Sequence, residues 1–179
     1  MKTTRRQLIE KEVATLLQEN ELREAPVDVE RIARNLGIFV TRTPSEDDIS
    51  GFLLVHADGR AVIGVNTLHH PNRQRFTIAH EIGHFLLHDF NEVHVDRAVV
   101  KLRNRVSSRG DDSEEIEANR FAAEILMPEA FLSNDLDEST FIDLHDDRSM
   151  LRLARRYQVS VQAMTNRLVS LGFLTEFES

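Results

Sequence analysis

Apolar residues recur at helical spacing near both ends of the chain. The first stripe runs through residues 4–20, and a second, shorter stripe stops at Gly37, where a left-handed C-cap would end a helix. Two further stripes predict helices over about 147–157 and 160–171, with Ser160 as the N-cap of the second. The pattern therefore places helices before and after the middle of the chain.

The middle of the chain predicts a small sheet and then two longer helices. Two runs rich in β-branched and aliphatic residues flank Asp58-Gly59, a dipeptide typical of tight β-hairpin turns. Helical spacing returns over 72–88 and over 113–126. This order predicts an α+β fold in which a small antiparallel sheet packs on the helix at 72–88, with a helical C-terminal part.

Composition limits the chemistry that such a fold can carry. The 179 residues are 41% apolar, which suits a single domain over 1–179 that includes a helix-turn-helix-like pair at 147–173. The absence of Cys excludes disulfides, thiolate metal sites and a thiol nucleophile. No apolar run approaches the length of a membrane span, and no signal-peptide core follows the first residues. We therefore expect a cytoplasmic protein that binds no membrane.

Charge is distributed unevenly along an acidic chain. The formal net charge is −8, so direct binding to a phosphate backbone is not expected of the molecule as a whole. Residues 148–175 nevertheless carry five Arg and no acid, and their two helices have the spacing of a helix-turn-helix. In this alternative function, a DNA-binding regulator, Arg155, Arg156 and Arg167 would meet phosphates.

The segment HEIGH at residues 80–84 lies inside the predicted helix at 72–88. Positions i and i+4 share one helix face, so the imidazoles of His80 and His84 can bind one Zn²⁺ at about 2.0–2.1 Å. Glu81 lies beside the first imidazole and can take a proton from a water on the metal. With 8 His in the chain, a random order of the same residues would give HExxH only about 0.03 times.

A catalytic zinc site needs a third protein ligand, and the third His of the longer HExxHxxGxxH pattern is absent. The helix at 113–126 offers Glu114, Glu115 and Glu117 instead. On a helical wheel Glu115 projects within about 40° of the centre of the apolar stripe, and Glu117 about 120° away. The wheel favours Glu115, and Glu117 takes the role if Glu115 faces solvent. Asn119, one turn after Glu115, could hold a ligating imidazole in position.

Three further residues are candidates for supporting roles. His88 continues the i, i+4 series from His84 and could orient that ligand, replace it, or lie at the surface near a helix C-terminus. His145 and Tyr157, the only Tyr, could donate a hydrogen bond to a tetrahedral oxyanion. The sequence does not decide among these roles.

The chain resembles the ImmA/IrrE family of metallopeptidases in two extended motifs, NRQRFTIAHEIGHFLLH and the later EIEANRFAAEILMP. Each motif is longer than a bare HExxH, and the two occur in the order and at the separation of that family. Weaker similarity before the sheet and near the C-terminus extends the resemblance to about residues 25–173.

The resemblance implies a zincin-like minimal metalloprotease core of the gluzincin type. It implies one Zn²⁺ on His80, His84 and Glu115, with Glu81 as the general base. Another divalent ion such as Mn²⁺ could replace zinc in vitro. These site assignments agree with the choice that the helical wheel makes.

The resemblance also implies a function. Family members typically cleave a helix-turn-helix repressor encoded nearby, so it implies a zinc-dependent endopeptidase that cuts such a repressor site-specifically and relieves repression, in a mobile element, prophage or stress response. An edge of the predicted hairpin could take an extended substrate by strand addition. The alternative is a DNA-binding or protein-binding regulator with a non-catalytic metal site. Glu81 favours the enzyme, because a structural metal site does not need a carboxylate beside its ligand.

Overall fold

The computed structural model describes residues 4–46, 49–56, 58–88, 93–97, 109–138 and 147–174. Its helices are α1 (Arg5–Glu19), α2 (Val29–Asn35), α3 (Pro71–Leu87), α4 (Arg109–Leu126), α5 (Glu129–Glu138), α6 (Asp147–Tyr157) and α7 (Val161–Ser170). Its strands are β1 (Ile38–Thr43), β2 (Ile49–Val55), β3 (Ala61–Asn66) and β4 (Val93–Arg97). The α+β class is confirmed. No helix within the described ranges is long and apolar enough to cross a membrane.

The sheet contains four strands in the order β1-β3-β2-β4. The predicted hairpin is confirmed, because β2 and β3 pair antiparallel around a turn in which the N–H of His56 donates to the carbonyl of Arg60 at 2.8 Å. The prediction of an antiparallel sheet is wrong for β1, which pairs parallel to β3. β3 is buried along most of its length and needs a partner on each side. The hairpin reverses the chain after β2, so β3 runs in the direction of β1 and accepts it as a parallel neighbour.

Both strands of the hairpin are internal to this sheet. β3 lies between β1 and β2, and β2 lies between β3 and β4. The expectation that a hairpin edge takes an extended substrate is therefore wrong. In the part of the chain that the structure describes, the outer edges of the sheet belong to β1 and β4, and sequence spacing alone could not reveal these long-range pairings.

Helix α3 packs across β2 and β3. The helix approaches the sheet closely at Gly51 of β2, where a Cβ would lie only 2.4 Å from Cγ2 of Thr77. Leu53 and Ile63 from the sheet and Ile82 from α3 are fully buried in one hydrophobic core. Each such side chain contributes about 1.5–3 kcal/mol through burial. The core thus fixes α3, which carries the HEIGH segment, against the sheet.

The two C-terminal helices occur at the predicted positions and are joined to the rest by buried and partly buried polar contacts. Arg167 of α7 lies 2.6 Å from Glu124 of α4 and donates a second hydrogen bond to the carbonyl of Met127 at 3.0 Å. The side-chain amide of Asn72, near the start of α3, donates to the carbonyl of Val159 at 2.9 Å. These contacts hold the turn before α7 beside α3 and α7 itself beside α4.

Candidate metal centre

Helix α3 brings the two histidines of the HEIGH segment to one buried face. The helix starts at Pro71, a residue whose missing N–H is not needed at the first helical position. His80 and His84 follow in its second half, one turn apart, and their relative exposures are only 2% and 0%. Such burial is rare for polar rings unless they have a specific partner.

The imidazoles of His80 and His84 converge with one carboxylate from α4. Their Nε2 atoms lie 3.0 Å apart. Oε1 of Glu115 lies 3.1 Å from Nε2 of His84, and Oε2 lies 3.5 Å from Nε2 of His80. The structure therefore brings together the three residues that the sequence singled out as metal ligands.

The separations among the two Nε2 atoms and the two carboxylate oxygens of Glu115 fit a small divalent ion. A tetrahedral zinc site with bonds of about 2.0–2.1 Å places neighbouring ligand atoms about 3.3–3.4 Å apart. The observed distances of 3.0, 3.1 and 3.5 Å lie on both sides of this value. Two imidazoles and a carboxylate are also the donor set of a catalytic zinc site, which keeps its fourth position open. The residues present thus suit zinc in both geometry and chemistry.

Glu115 reaches the imidazoles because α3 and α4 approach each other closely at Gly83. A Cβ at Gly83 would lie 3.0 Å from Cδ1 of Phe121 and 3.2 Å from Cα of Ala118. A side chain at this position would require these neighbours on α4 to shift by a few tenths of an ångström. Glu115 lies about one turn before Ala118 on the same helix. The glycine within HEIGH therefore allows the close packing of α3 on α4.

A second carboxylate of α4 meets the next histidine of α3. Nε2 of His88 lies 3.1 Å from Oε2 of Glu117, and Nδ1 of His88 lies 3.2 Å from Nδ1 of His84. The side chain of His88 is only 4% exposed. Of the three roles open to His88 from the sequence, the geometry matches that of a residue that orients His84.

One pair of neutral ring tautomers satisfies both contacts of His88. A carboxylate can only accept, so Nε2 of His88 donates to Glu117, and Nδ1 of a neutral His88 then accepts the Nδ1–H of His84. The lone pair of His84 is thereby directed from Nε2, the atom that faces His80 and Glu115. The chain thus presents His84 in the form that a metal ion requires.

Arg5 of α1 completes this arrangement from the other side. Its guanidinium lies 2.8 Å from Oε2 of Glu117 and donates to the carbonyl of Leu87 at 2.9 Å. The hydrogen bond from Arg5 is the main cause that lowers the pKa of Glu117, with a further contribution from His88. Glu117 therefore remains a carboxylate that can accept from His88. The i, i+4 spacing of His84 and His88 was the only sequence signal for this support.

Glu81 lies next to His80 on α3 and is completely buried, with a relative exposure of 0%. It shares the buried stretch of α3 that also contains both histidines. Its neighbour His80 is itself stacked against Phe76, with ring centroids 6.1 Å apart. The carboxylate is thus attached to the same helix turn as the first imidazole and is shielded from bulk water.

The remaining candidates have other positions. Asn119 is exposed and lines a groove beside Phe76, rather than supporting an imidazole. Tyr157 is fully buried, and its hydroxyl donates to Oδ2 of Asp135 at 2.9 Å, so it joins α6 to α5 instead of serving as an oxyanion donor. Burial is the main cause that raises the pKa of Tyr157. His145 lies outside the described residues.

The arginines considered for phosphate contact are largely engaged within the chain. Arg167 is 7% exposed and forms the buried pair with Glu124. Arg156 makes two hydrogen bonds to Asp135, at 2.7 and 2.9 Å. In the DNA-binding alternative, Arg167 is therefore not accessible to a phosphate, whereas Arg156 keeps 50% of its side chain exposed beside Asp135. Arg155 remains exposed.

Comparison with known proteins places the chain in a family. Residues 33–169 match the peptidase M78 family, described as the IrrE N-terminal-like domain. The chain belongs to this metallopeptidase family, as the two extended motifs led us to expect.

The fold is also similar to a solved structure, a Mycobacterium tuberculosis transcriptional regulator, with a TM-score of 0.57 and 20% sequence identity. The similarity covers 90% of this chain and 46% of that chain, so this chain spans about half the length of the regulator. A search of curated proteins gave no match. The structural similarity thus supports the fold, while the family assignment depends on the sequence match.

Proposed function

We propose that this protein is a zinc-dependent endopeptidase that cleaves a helix-turn-helix repressor. The observation that carries the proposal is the convergence of His80, His84 and Glu115 within 4.8 Å of one another, with Glu81 beside the first ligand. Membership in the M78 family supports a peptidase over a purely structural metal site. Residues 1–179 act in this proposal as one metallopeptidase domain.

His80, His84 and Glu115 would hold the zinc ion. When bound, the ion supplies Lewis acidity, polarising a substrate carbonyl and lowering the pKa of water to about 7. Glu81 accepts the proton of the attacking water at its carboxylate and later gives a proton to the leaving amine nitrogen. His88 holds His84 in the tautomer whose Nε2 carries the lone pair, and Glu117 holds His88.

A helix-turn-helix repressor is the substrate in this proposal. The resemblance to the ImmA/IrrE family supports it, because family members typically act on such proteins. A repressor meets its operator in the cytoplasm, so we place the peptidase there. The partner is then the helix-turn-helix protein encoded near this gene.

The test uses that neighbouring repressor and two zinc-loaded proteins, wild type and Glu81→Gln. We expect the wild type to cut the repressor at one site, and the variant to bind zinc and repressor but cut at least about 10²–10⁴ times more slowly. Fragment masses and zinc stoichiometry are measured together. Glu114→Gln is the matched control, because Glu114 is an exposed acid that is not part of the histidine–carboxylate cluster.

Equal cleavage by wild type and Glu81→Gln would remove Glu81 from the mechanism. If the zinc-loaded wild type binds the repressor without cutting it, the function is that of a protein-binding regulator with a non-catalytic metal site. A zinc-loaded chain that ignores the repressor but shifts its operator DNA would favour the DNA-binding alternative.

A further inference from the structure

A groove lies between the C-terminal helix pair and the helices α3 and α4. Its larger part, of about 840 Å³, lies between the first turns of α3 and the helices α6 and α7. A smaller part, of about 340 Å³, lies between α4 and α7. Both parts are lined by Phe76, Met127, Ala163 and Asn166, so they form one surface, which we call the α3–α7 groove.

The lining of the α3–α7 groove is mainly apolar, and some apolar side chains of its floor are exposed. Leu151 of α6 is 39% exposed, and Val161 at the start of α7 is 40% exposed. Met127 and Ala154 form buried walls. Exposed apolar side chains that are gathered along a concave surface are typical of sites that bind a partner.

The charge of the groove is opposite to that of the protein. The chain has 30 acidic and 22 basic side chains. The described residues that line the groove nevertheless include no Asp or Glu. They do include the exposed arginines Arg73, Arg120 and Arg155. An apolar floor with a basic rim is complementary to a partner that carries apolar and acidic side chains.

One residue of the groove lining contacts the candidate metal centre. Phe76 lines both parts of the groove, and its ring stacks on His80 with the planes 29° apart. A chain bound along the groove therefore passes within one side chain of the first ligand. A surface that serves an unrelated partner would not need to lead to this point.

From these observations we propose that the α3–α7 groove binds an apolar, acidic segment of the protein substrate next to its scissile bond. This inference rests on the proposed peptidase function and adds the chemical class of the sequence that it recognises. Apolar side chains of the segment lie on the floor beside Val161 and Leu151. Its acidic side chains meet Arg155 and the other arginines of the rim.

The test measures binding without cleavage, on the zinc-loaded Glu81→Gln protein. The probes are two fluorescein-labelled synthetic peptides of about 15 residues with Leu at i, i+3, i+4 and i+7, the other positions being mainly Glu in one and Lys in the other. We expect the Glu peptide to bind at least about ten times more tightly, although the protein is acidic overall. Fluorescence anisotropy gives both dissociation constants.

Matched variants locate the binding site. Val161→Asp should weaken the Glu peptide at least about tenfold, because it places a carboxylate on the apolar floor. Phe39→Asp changes an apolar residue that is 70% exposed on β1 and should have no effect. Arg155→Glu should weaken the Glu peptide, whereas Arg148→Glu, at an exposed position on the same helix outside the groove, should not. Circular dichroism confirms that each variant is folded.

Several results would overturn the proposal. One is equal binding of both peptides, and another is equal binding of the Glu peptide by Val161→Asp and Phe39→Asp. The others are displacement of the Glu peptide by duplex DNA and a dimer of the protein that dissociates in Val161→Asp. Failure of the peptidase function is a separate result. If the wild type binds the Glu peptide in the groove but does not cut the repressor, only the proposed peptidase function is wrong. If the wild type cuts the repressor and Val161→Asp leaves the KM unchanged, only the proposed role of the groove is wrong.

Discussion

The two ends of α4 use carboxylates in opposite ways. Towards its C-terminal end, Glu124 is closed off by Arg167 at 2.6 Å, and the two side chains are only 11% and 7% exposed. Towards its N-terminal end, Glu115 faces two imidazoles and keeps 40% of its side chain exposed. At the C-terminal end, Arg167 already supplies the positive charge that Glu124 requires. The N-terminal end offers one negative charge and two ring nitrogens, so it attracts a cation from outside.

This difference shows that the partner of a carboxylate decides its role. A buried Arg–Glu pair joins helices, and breaking it lowers the free energy of unfolding. A carboxylate shared between two histidines is available to a metal ion, and removing it lowers the affinity for that ion. Both acids lie on one helix, so variants at each end can separate stability from metal affinity within the same fold.

Arg167→Ala should have the largest effect on stability. It leaves Glu124 buried without its positive partner and also removes the hydrogen bond to the carbonyl of Met127. Breaking one side of a buried ion pair typically costs about 3–5 kcal/mol. We expect a loss of this size in the free energy of unfolding, measured by urea denaturation of the metal-free protein.

The control is the double variant Arg167→Met with Glu124→Met. It removes both charges and keeps apolar volume, so most of the lost free energy of unfolding should return. A double variant as unstable as Arg167→Ala would show that the packing of α7, rather than the unpaired charge of Glu124, determines the loss.

The contents of the candidate site were predictable where they depend on local helix geometry. His80 and His84 share a face because 3.6 residues make one turn, and the helical wheel directed Glu115 toward the packed side of α4. The contact of His88 with Glu117 was not predictable in this way. It depends on how the end of α3 crosses α4, where Gly83 packs closely against Ala118.

The fold shows the same limit. The hairpin at Asp58-Gly59 followed from turn chemistry within a few residues. The parallel pairing of β1 with β3 joins segments that the sequence separates, and no local pattern specifies it. Arg167 finds its partner 43 residues away along the chain, so its charge alone suggested a phosphate where the fold provides Glu124.

Zinc should stabilise the protein only through the N-terminal end of α4, where Glu115 faces the two imidazoles. A ligand that binds the folded state raises the free energy of unfolding by about 2.7 kcal/mol at 100 times its dissociation constant. We expect this gain in the wild type and, in full, in Arg167→Ala. Glu115→Gln should lose it, because the amide replaces a charged ligand, and Glu114→Gln should keep it. The measurement is urea denaturation with and without zinc.

An equal zinc-dependent gain in Glu115→Gln and Glu114→Gln would exclude Glu115 as a ligand. If Arg167→Ala loses the zinc-dependent rise in the free energy of unfolding, the two ends of α4 are energetically coupled and do not act independently.

The smallest effect should come from the residue that orients His84. His88→Phe keeps an aromatic ring but removes the hydrogen bonds to His84 and Glu117. Loss of such outer support typically lowers metal affinity about 10–100-fold. We expect a decrease in this range, measured by competition with a zinc-binding dye, while the urea midpoint of the metal-free protein stays nearly unchanged. Arg5→Met should change zinc affinity less, because it leaves the contact of Glu117 with His88 in place.

Asn119→Ala is the matched control for His88→Phe, since Asn119 was the sequence-based candidate for the same supporting role and is exposed in the groove. It should leave zinc affinity unchanged. If Asn119→Ala weakens zinc as much as His88→Phe does, the hydrogen-bond chain from Glu117 through His88 is not what orients His84. If both variants bind zinc like the wild type, the helix and the core fix the imidazoles without support. The N-terminal end of α4 would then contribute only Glu115 to the metal.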